Sequence, residues 1–237
     1  MVTTENRINH EVALWAGKHK DLIPDLPGVP WLTGGAVWSI LHKRDPRDLD
    51  FIITGSFEDY CEWAGQQAER TSLGGVKGVH NGMRWDAWHV RDSHAMRTAQ
   101  IPVEDRTVDL FLKSTPFAHE AVAVSMWARA NDLGDRHVKY THLFEIALQS
   151  WITSLGTWGS VNHQLVDNLG WQAVRLAKFL KENPKYTVTI PRSVETEMIR
   201  TVKWNAPHYE REQVRRWGQV LLGIGDIVDL IRGRVVE

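Results

Sequence analysis

A chain of 237 residues, 43% hydrophobic and with a formal net charge of −1, can bury a large core and sits where one large domain or two small ones are both reasonable. That charge excludes a uniformly basic nucleic-acid coat, although a local basic face can still grip phosphate. The single cysteine, Cys61, excludes an intramolecular disulfide and a cysteine-built zinc cluster; with no apolar run of membrane-spanning length and no leader-like N-terminus, the expected compartment is the cytoplasm.

The stretch "ENRINHEVALWAGKHK" predicts a short helix, which the prolines of "DLIPDLPGVP" break. "PWLTGG" predicts a short buried strand closed by two glycines. "AVWSILHK" follows as a helix with Val37, Ile40 and Leu41 facing a core, then "RDPRD" as a polar turn and "LDFIIT" as a second strand. Ser56 is placed to cap a helix in "SFEDYCEWAGQQAER", whose first turn carries Glu58 and Asp59. From Thr71 to Val90 the chain reads as a hairpin about Asn81-Gly82, a strong two-residue turn signal. "RTVDLFLK" reads as a further strand. Beyond Pro116 the spacing turns helical, over residues 118–132, 141–155 and 162–182 and a last helix at about 208–232. The expected class is α+β, with an α/β head over residues 1–116 and a helical half over 117–237.

Two features carry chemistry. Side chains alternate along a strand, so Asp48 and Asp50 project together while Leu49 and Phe51 point the other way. Mg²⁺ is commonly held by one or two carboxylates plus a substrate's phosphates, which an Asp-x-Asp pair suits. At Gly34 and Gly35 the backbone can approach phosphate with no Cβ in the way, and the following helix presents its unpaired amides.

In this setting "LTGGAVWSILHKRDPRDLDFII" resembles the Gly-Gly-x-Val-Arg-Asp, helix, Asp-x-Asp signature of the nucleotidyltransferase superfamily that includes DNA polymerase beta. Within it, the head domain of poly(A) polymerases and CCA-adding tRNA nucleotidyltransferases is the nearest pattern. The resemblance implies a small mixed sheet with helices on one side, two Mg²⁺ ions, and transfer of a nucleoside monophosphate from an NTP, with ATP the expected one, to an RNA 3′ hydroxyl, tRNA foremost. Asp48 and Asp50 would hold both metals. A neighbouring strand must add a third carboxylate. Asp86 is favoured, since "SLGGVKGVHNGMRWDAWHV" is similar to the hairpin of bacterial relatives; Asp109 in "TVDLFLK" is the alternative. "WQAVRLAKFL" looks like the family's arginine-bearing helix, which implies Arg175 at the nucleotide. Trp38 and Ser39 stand where the signature has Arg-Asp, leaving Lys43, Arg44 and Arg47 to meet the triphosphate.

Other signals are weaker. No histidine pair has the spacing of a zinc protease. Residues 200–217 interleave Arg200, Lys203, Arg211, Arg215 and Arg216 with Trp204, Tyr209 and Trp217, a composition suited to a single-stranded RNA end or simply to a solvated helix face. Two further readings stay open: an acceptor that is a small molecule or a protein, and a binding module that keeps the fold without turnover.

Overall fold

The computed structural model describes residues 3–67, 69–71, 74–98, 100–126, 137–155 and 169–236. Helix α1 (Thr4–Lys18) opens the chain, with Thr3 capping it by accepting from the Asn6 amide. Strand β1 (Val29–Thr33) runs into helix α2 (Gly34–Leu41), and β2 (Asp48–Thr54) returns antiparallel to β1. Helix α3 (Phe57–Gly65) begins at Ser56, whose Oγ accepts from the Asp59 amide at 3.1 Å as expected of a cap. After the short β3 (Glu69–Arg70), strands β4 (Val76–His80) and β5 (Met83–His89) form the expected hairpin. Its turn holds Asn81 at φ 47° and Gly82 at φ 85°, two left-handed residues in a row, which matches the right-handed twist of the strands it joins.

Two short helices, α4 (His94–Thr98) and α5 (Val108–Lys113), precede β6 (Val122–Ser125) and β7 (Val138–Tyr140). The seven strands make one mixed sheet in the order β3-β4-β5-β2-β1-β6-β7, with β2 and β5 parallel. Its larger face is covered by α1, α2, α3 and α6 (His142–Ser150), over a floor of Leu32, Leu49, Phe51, Ile53, Val122 and Val124. On the opposite face α4 and α5 cover a smaller cluster of Trp31, Ile52 and Ala123. Helices therefore lie on both faces, not on one, because the strand residues at the far end of this second face are apolar too.

The C-terminal part packs α7 (Leu169–Glu182), α8 (Arg192–Trp204), α9 (Ala206–Trp217) and α10 (Ile224–Arg232) with a small parallel sheet of β8 (Ile152–Ser154), β9 (Thr187–Thr189) and β10 (Val235–Val236). Trp38 of α2 is the hub between the halves. Its ring lies 5.9 Å from Phe144, 5.8 Å from Phe179 and 5.6 Å from Tyr186, so both halves share one apolar core. Burying rings of this size accounts for about 2–3 kcal/mol each, which makes the junction structural and not a loose hinge.

Several expected elements differ. "RTVDLFLK" is helix α5: the Thr107 hydroxyl accepts from the Leu110 amide, and that cap outweighs the strand-like alternation. Residues 118–132 do not form a helix where they are described; Ala118–Glu120 is one 3₁₀ turn and Val122–Ser125 is the fully buried strand β6, while 127–132 lie outside the described residues. The head's sheet thus continues to Tyr140, beyond residue 116. Of 141–155, only His142–Ser150 is helical before β8 begins. Of 162–182, the described part is α7. The last helix is two, α9 and α10, parted where Gly218 adopts φ 78°. Among the described residues no helix is long and apolar enough to cross a membrane.

Candidate active site

The site begins where β1 ends. Gly34 adopts φ 66°, a left-handed turn that favours glycine, and a Cβ on Gly35 would meet nothing within 4 Å. The Thr33 hydroxyl does not cap α2. It donates to the Val122 carbonyl at 2.7 Å, so no side chain takes up the first amides of that helix. An anion approaching this corner meets open backbone and the positive end of the helix dipole.

Strand register brings the acids here. Thr33 pairs with Asp50 across β1–β2, and Asp50 pairs with Asp86 across β2–β5. Directly opposite residues share a face, so Asp50 and Asp86 lie side by side with Asp48 one strand step away. A Cβ placed on Gly34 would stand 3.9 Å from Asp50 Oδ2, which makes the glycine turn and the carboxylate immediate neighbours. Asp48, Asp50 and Asp86 are each half-buried, while Leu49, Phe51, Trp85 and Ala87 between them face the core.

The electrostatics follow from this crowding. Burial, then the charges of Asp48, Asp86 and Glu120, push the Asp50 carboxyl up to about 8, with Arg175 opposing. Asp86 is also raised, by burial and then by Asp48, against the pull of Lys77, Arg84 and Arg216. Neither carboxylate accepts a hydrogen bond or ion pair from any described side chain. Oxygen donors crowded together on one strand face suit a hard divalent cation; Asp50 and Asp86 accept from no described side chain, and Asp48 beside them is shared with Arg47, so these three are the residues that could hold Mg²⁺. Among the described residues no three Asp, Glu, His or Cys side chains stand close enough together to hold a metal ion by themselves, so a cation here would depend on ligands from outside the chain. Mg²⁺ characteristically takes its remaining ligands from water and substrate phosphates, and the open corner at Gly34 leaves room for both.

The basic candidates divide. Arg47 is at the site, its Nη2 2.5 Å and its Nε 3.1 Å from Asp48 Oδ2. Lys43, at φ 58°, turns away to pair with Glu11 of α1, and Arg44 Nη2 donates to Asn183 Oδ1 at 2.9 Å just after α7. Arg175 is held bidentately by Glu120, at 2.6 and 2.8 Å, over the Phe117 ring; its charge reaches Asp50, but both its terminal nitrogens have partners. Asp109 is on α5, paired with Lys139 of β7, with β1 and β6 between β7 and β2. Glu120, Lys77 and Arg84 escaped sequence reasoning: Glu120 comes from a segment that reads as helix, and only strand register reveals the other two.

No family model matches the sequence, nor does any curated protein sequence. Solved structures do resemble the chain. The Thermotoga maritima CCA-adding enzyme complexed with tRNA aligns over 96% of this chain and 49% of its own, at 13% identity and a TM-score of 0.55. A tRNA-processing enzyme with CTP aligns over 94% and 56%, at 15% identity and 0.55, and a CCA-adding enzyme in complex with CTP over 86% and 47%, at 13% identity and 0.54. The fold is shared with these CCA-adding and tRNA-processing enzymes. The chain spans about half the length of these enzymes. Trp38, where the resembled signature has its arginine, is 3% exposed and enclosed by aromatic rings.

Proposed function

We propose that the protein is a nucleotidyltransferase that moves a nucleoside monophosphate from an NTP, with ATP the expected donor, to the 3′ hydroxyl of an RNA, tRNA foremost, and releases pyrophosphate. One observation carries this reading: a Cβ added to the uncapped turn at Gly34 would stand 3.9 Å from Asp50 Oδ2, and Asp86 is the next side chain in register.

In this reading Asp48 and Asp50 hold two Mg²⁺ ions and Asp86 completes the set on the acceptor side. When bound, these ions neutralise triphosphate charge and make the acceptor hydroxyl more acidic. The chain's own work is positional. Gly34, Gly35 and the first amides of α2 receive the phosphates that will leave. Arg47, already against Asp48, adds positive charge beside them. Asp86 orients the acceptor oxygen opposite the leaving pyrophosphate and takes up the hydroxyl proton, so that the new phosphodiester bond forms as the bond to pyrophosphate breaks. No covalent intermediate with the protein is needed. CTP and tRNA appear in the names of the similar structures, which supports a nucleotide donor and an RNA acceptor here.

Buried Trp38 in place of the signature arginine favours a second reading, a chain that keeps the fold and binds nucleotide without turnover. Incubation with each labelled NTP and Mg²⁺, with and without total RNA, decides between them. Label in RNA supports the proposal. Label in a small molecule or in protein changes the acceptor, and bound but uncleaved NTP leaves a binding module.

A further inference from the structure

The register that aligns Asp50 with Asp86 continues one strand further. Asp86 pairs with Lys77 across β5–β4, so Thr33, Asp50, Asp86 and Lys77 form one row across four strands. At one end is the glycine turn. At the other, two strand spacings or roughly 10 Å beyond Asp50, is a lysine. Arg84 lies one strand step from Asp86, paired with Asp48 in register, and projects from the same face. It is exposed, and no described residue pairs with it.

A third cation arrives from the helical half. The Arg216 guanidinium of α9 sits 4.6 Å above the Trp171 ring of α7, and its Nε donates to Glu212 at 3.1 Å, with almost half of the side chain still open to solvent. Trp171 is itself 5.2 Å from Trp217, over which Lys178 lies at 5.6 Å. These contacts fix the guanidinium before any ligand arrives. Its charge reaches Asp86.

We propose that Lys77, Arg84 and Arg216 anchor the phosphodiester backbone of a single-stranded acceptor on the Asp86 side of the site. The proposal rests on the nucleotidyl-transfer reading and assigns its acceptor side to named residues. The charge argument is direct. Three basic side chains oppose the charge of Asp86, although Lys77 also pairs with Glu69 at 3.3 Å and Arg216 with Glu212, and divalent cations at the acids would leave this side of the site positive. A triphosphate seated at Gly34 lies at the opposite end of the row and does not need these three. A neutral acceptor needs none of them, whereas a polyanionic strand does. Arg216, with one face on an indole and its edge exposed, also offers a planar surface on which a terminal base can stack.

The test measures binding of a short, 5′-labelled single-stranded RNA by fluorescence anisotropy across a salt series, with no NTP present. Arg84→Ala and Lys77→Ala, both at exposed strand positions, are expected to weaken binding several-fold and to lower the slope of log K against log[salt] by about 0.7 each. Arg216→Ala should do the same, while Arg200→Ala, which removes a charge from the exposed Arg200–Glu197 pair on α8, should match wild type. Wild-type affinity and slope in both strand variants would overturn the proposal, as would a wild-type protein that ignores RNA. The underlying reading is checked separately, by Mg²⁺- and ATP-dependent thermal stabilisation of the wild type: its loss with RNA binding intact condemns nucleotidyl transfer and leaves an RNA site, whereas its presence without RNA binding condemns the anchor alone.

Discussion

Asp50 and Asp86 face one another in the parallel register of β2 and β5, on the sheet face turned away from the main core. Neither accepts from a hydrogen-bonding side chain; burial and then the charges of Asp48 and Asp86 raise the Asp50 carboxyl, and burial and then Asp48 raise that of Asp86. The strand order alone imposes this repulsion. Strands that pair in register for the sake of Phe51 and Ala87 on one face necessarily press two acids together on the other.

That relationship gives a pH dependence with a definite sign. The Asp50 carboxyl is pushed up to about 8 in the fold, above its ordinary value of 3.8. A group raised on folding favours the protonated native state, so its contribution falls as pH rises through the interval between those values. From 6.5, the ordinary histidine value, up to about 8, metal-free protein should lose stability in urea melts, on the order of a few kcal/mol at most. Asp50→Asn removes the ionisation and should flatten that slope while abolishing transfer. Saturating Mg²⁺ should flatten it in the wild type too. A slope shared by wild type and variant would show that Asp50 is not the group responsible.

The third carboxylate is separable by activity. Asp86→Ala should fold and lose at least about 100-fold in transfer, the scale of removing a positioned catalytic group. Asp109→Ala gives up only a surface ion pair with Lys139, worth about 0–1 kcal/mol, and should transfer at the wild-type rate. Single-turnover incorporation of labelled nucleotide measures both. The opposite ranking would move the metal site to the other edge of the sheet.

Much of this was legible in the sequence because local chemistry and long-range packing agree. The Gly34 turn, the alternation of Asp48 to Phe51 and the Asn81-Gly82 turn each have one good solution, and the sheet uses it. The misread elements are those where two local signals compete. "TVDLFLK" alternates like a strand, but Thr107 starts a helix; "AVAVS" reads as helix by its alanines, yet the gap between β1 and β7 selects its valines for a strand. The apolar stripe through 208–232 reads as one helix and passes over Gly218, whose left-handed φ of 78° parts α9 from α10. Nothing local could show that Lys43 and Arg44 leave the site, because their partners Glu11 and Asn183 are distant in sequence.

Trp38 tests whether the signature arginine can simply be restored. The residue is 3% exposed, surrounded by His42, His119, Phe144, Phe179 and Tyr186, with its Nε1 buried and unpartnered. Trp38→Arg would bury a charge with no acid beside it and should destabilise by about 3–5 kcal/mol or prevent folding, with no gain in transfer. Trp38→Phe loses some packing but also removes the unmatched donor, so its cost should be far smaller, about 1–2 kcal/mol, with activity kept. Thermal melts and transfer assays on the pair distinguish a structural tryptophan from a degraded nucleotide contact, since the latter predicts improved nucleotide affinity in Trp38→Arg.

The same aromatic junction carries an acid-side prediction. His119 is stacked 3.7 Å from the Phe179 ring, and its Nδ1 is 2.9 Å from the Thr153 hydroxyl. Burial, then the charges of Arg175 and His42, hold its pKa well below 6.5, so it is neutral in the fold. A histidine depressed on folding supports stability fully above its unfolded value and loses that support as pH falls below it, because the unfolded chain takes up the proton more readily. Replacing it by phenylalanine removes the titration but leaves the buried Thr153 hydroxyl without this partner, costing about 1–3 kcal/mol at neutral pH. The gap between wild type and His119→Phe should therefore narrow as urea melts are taken from about pH 7 to about pH 5. A gap that stays constant over that range would mean the imidazole is already reached by solvent, and that the two halves are less tightly joined than the packing around Trp38 requires.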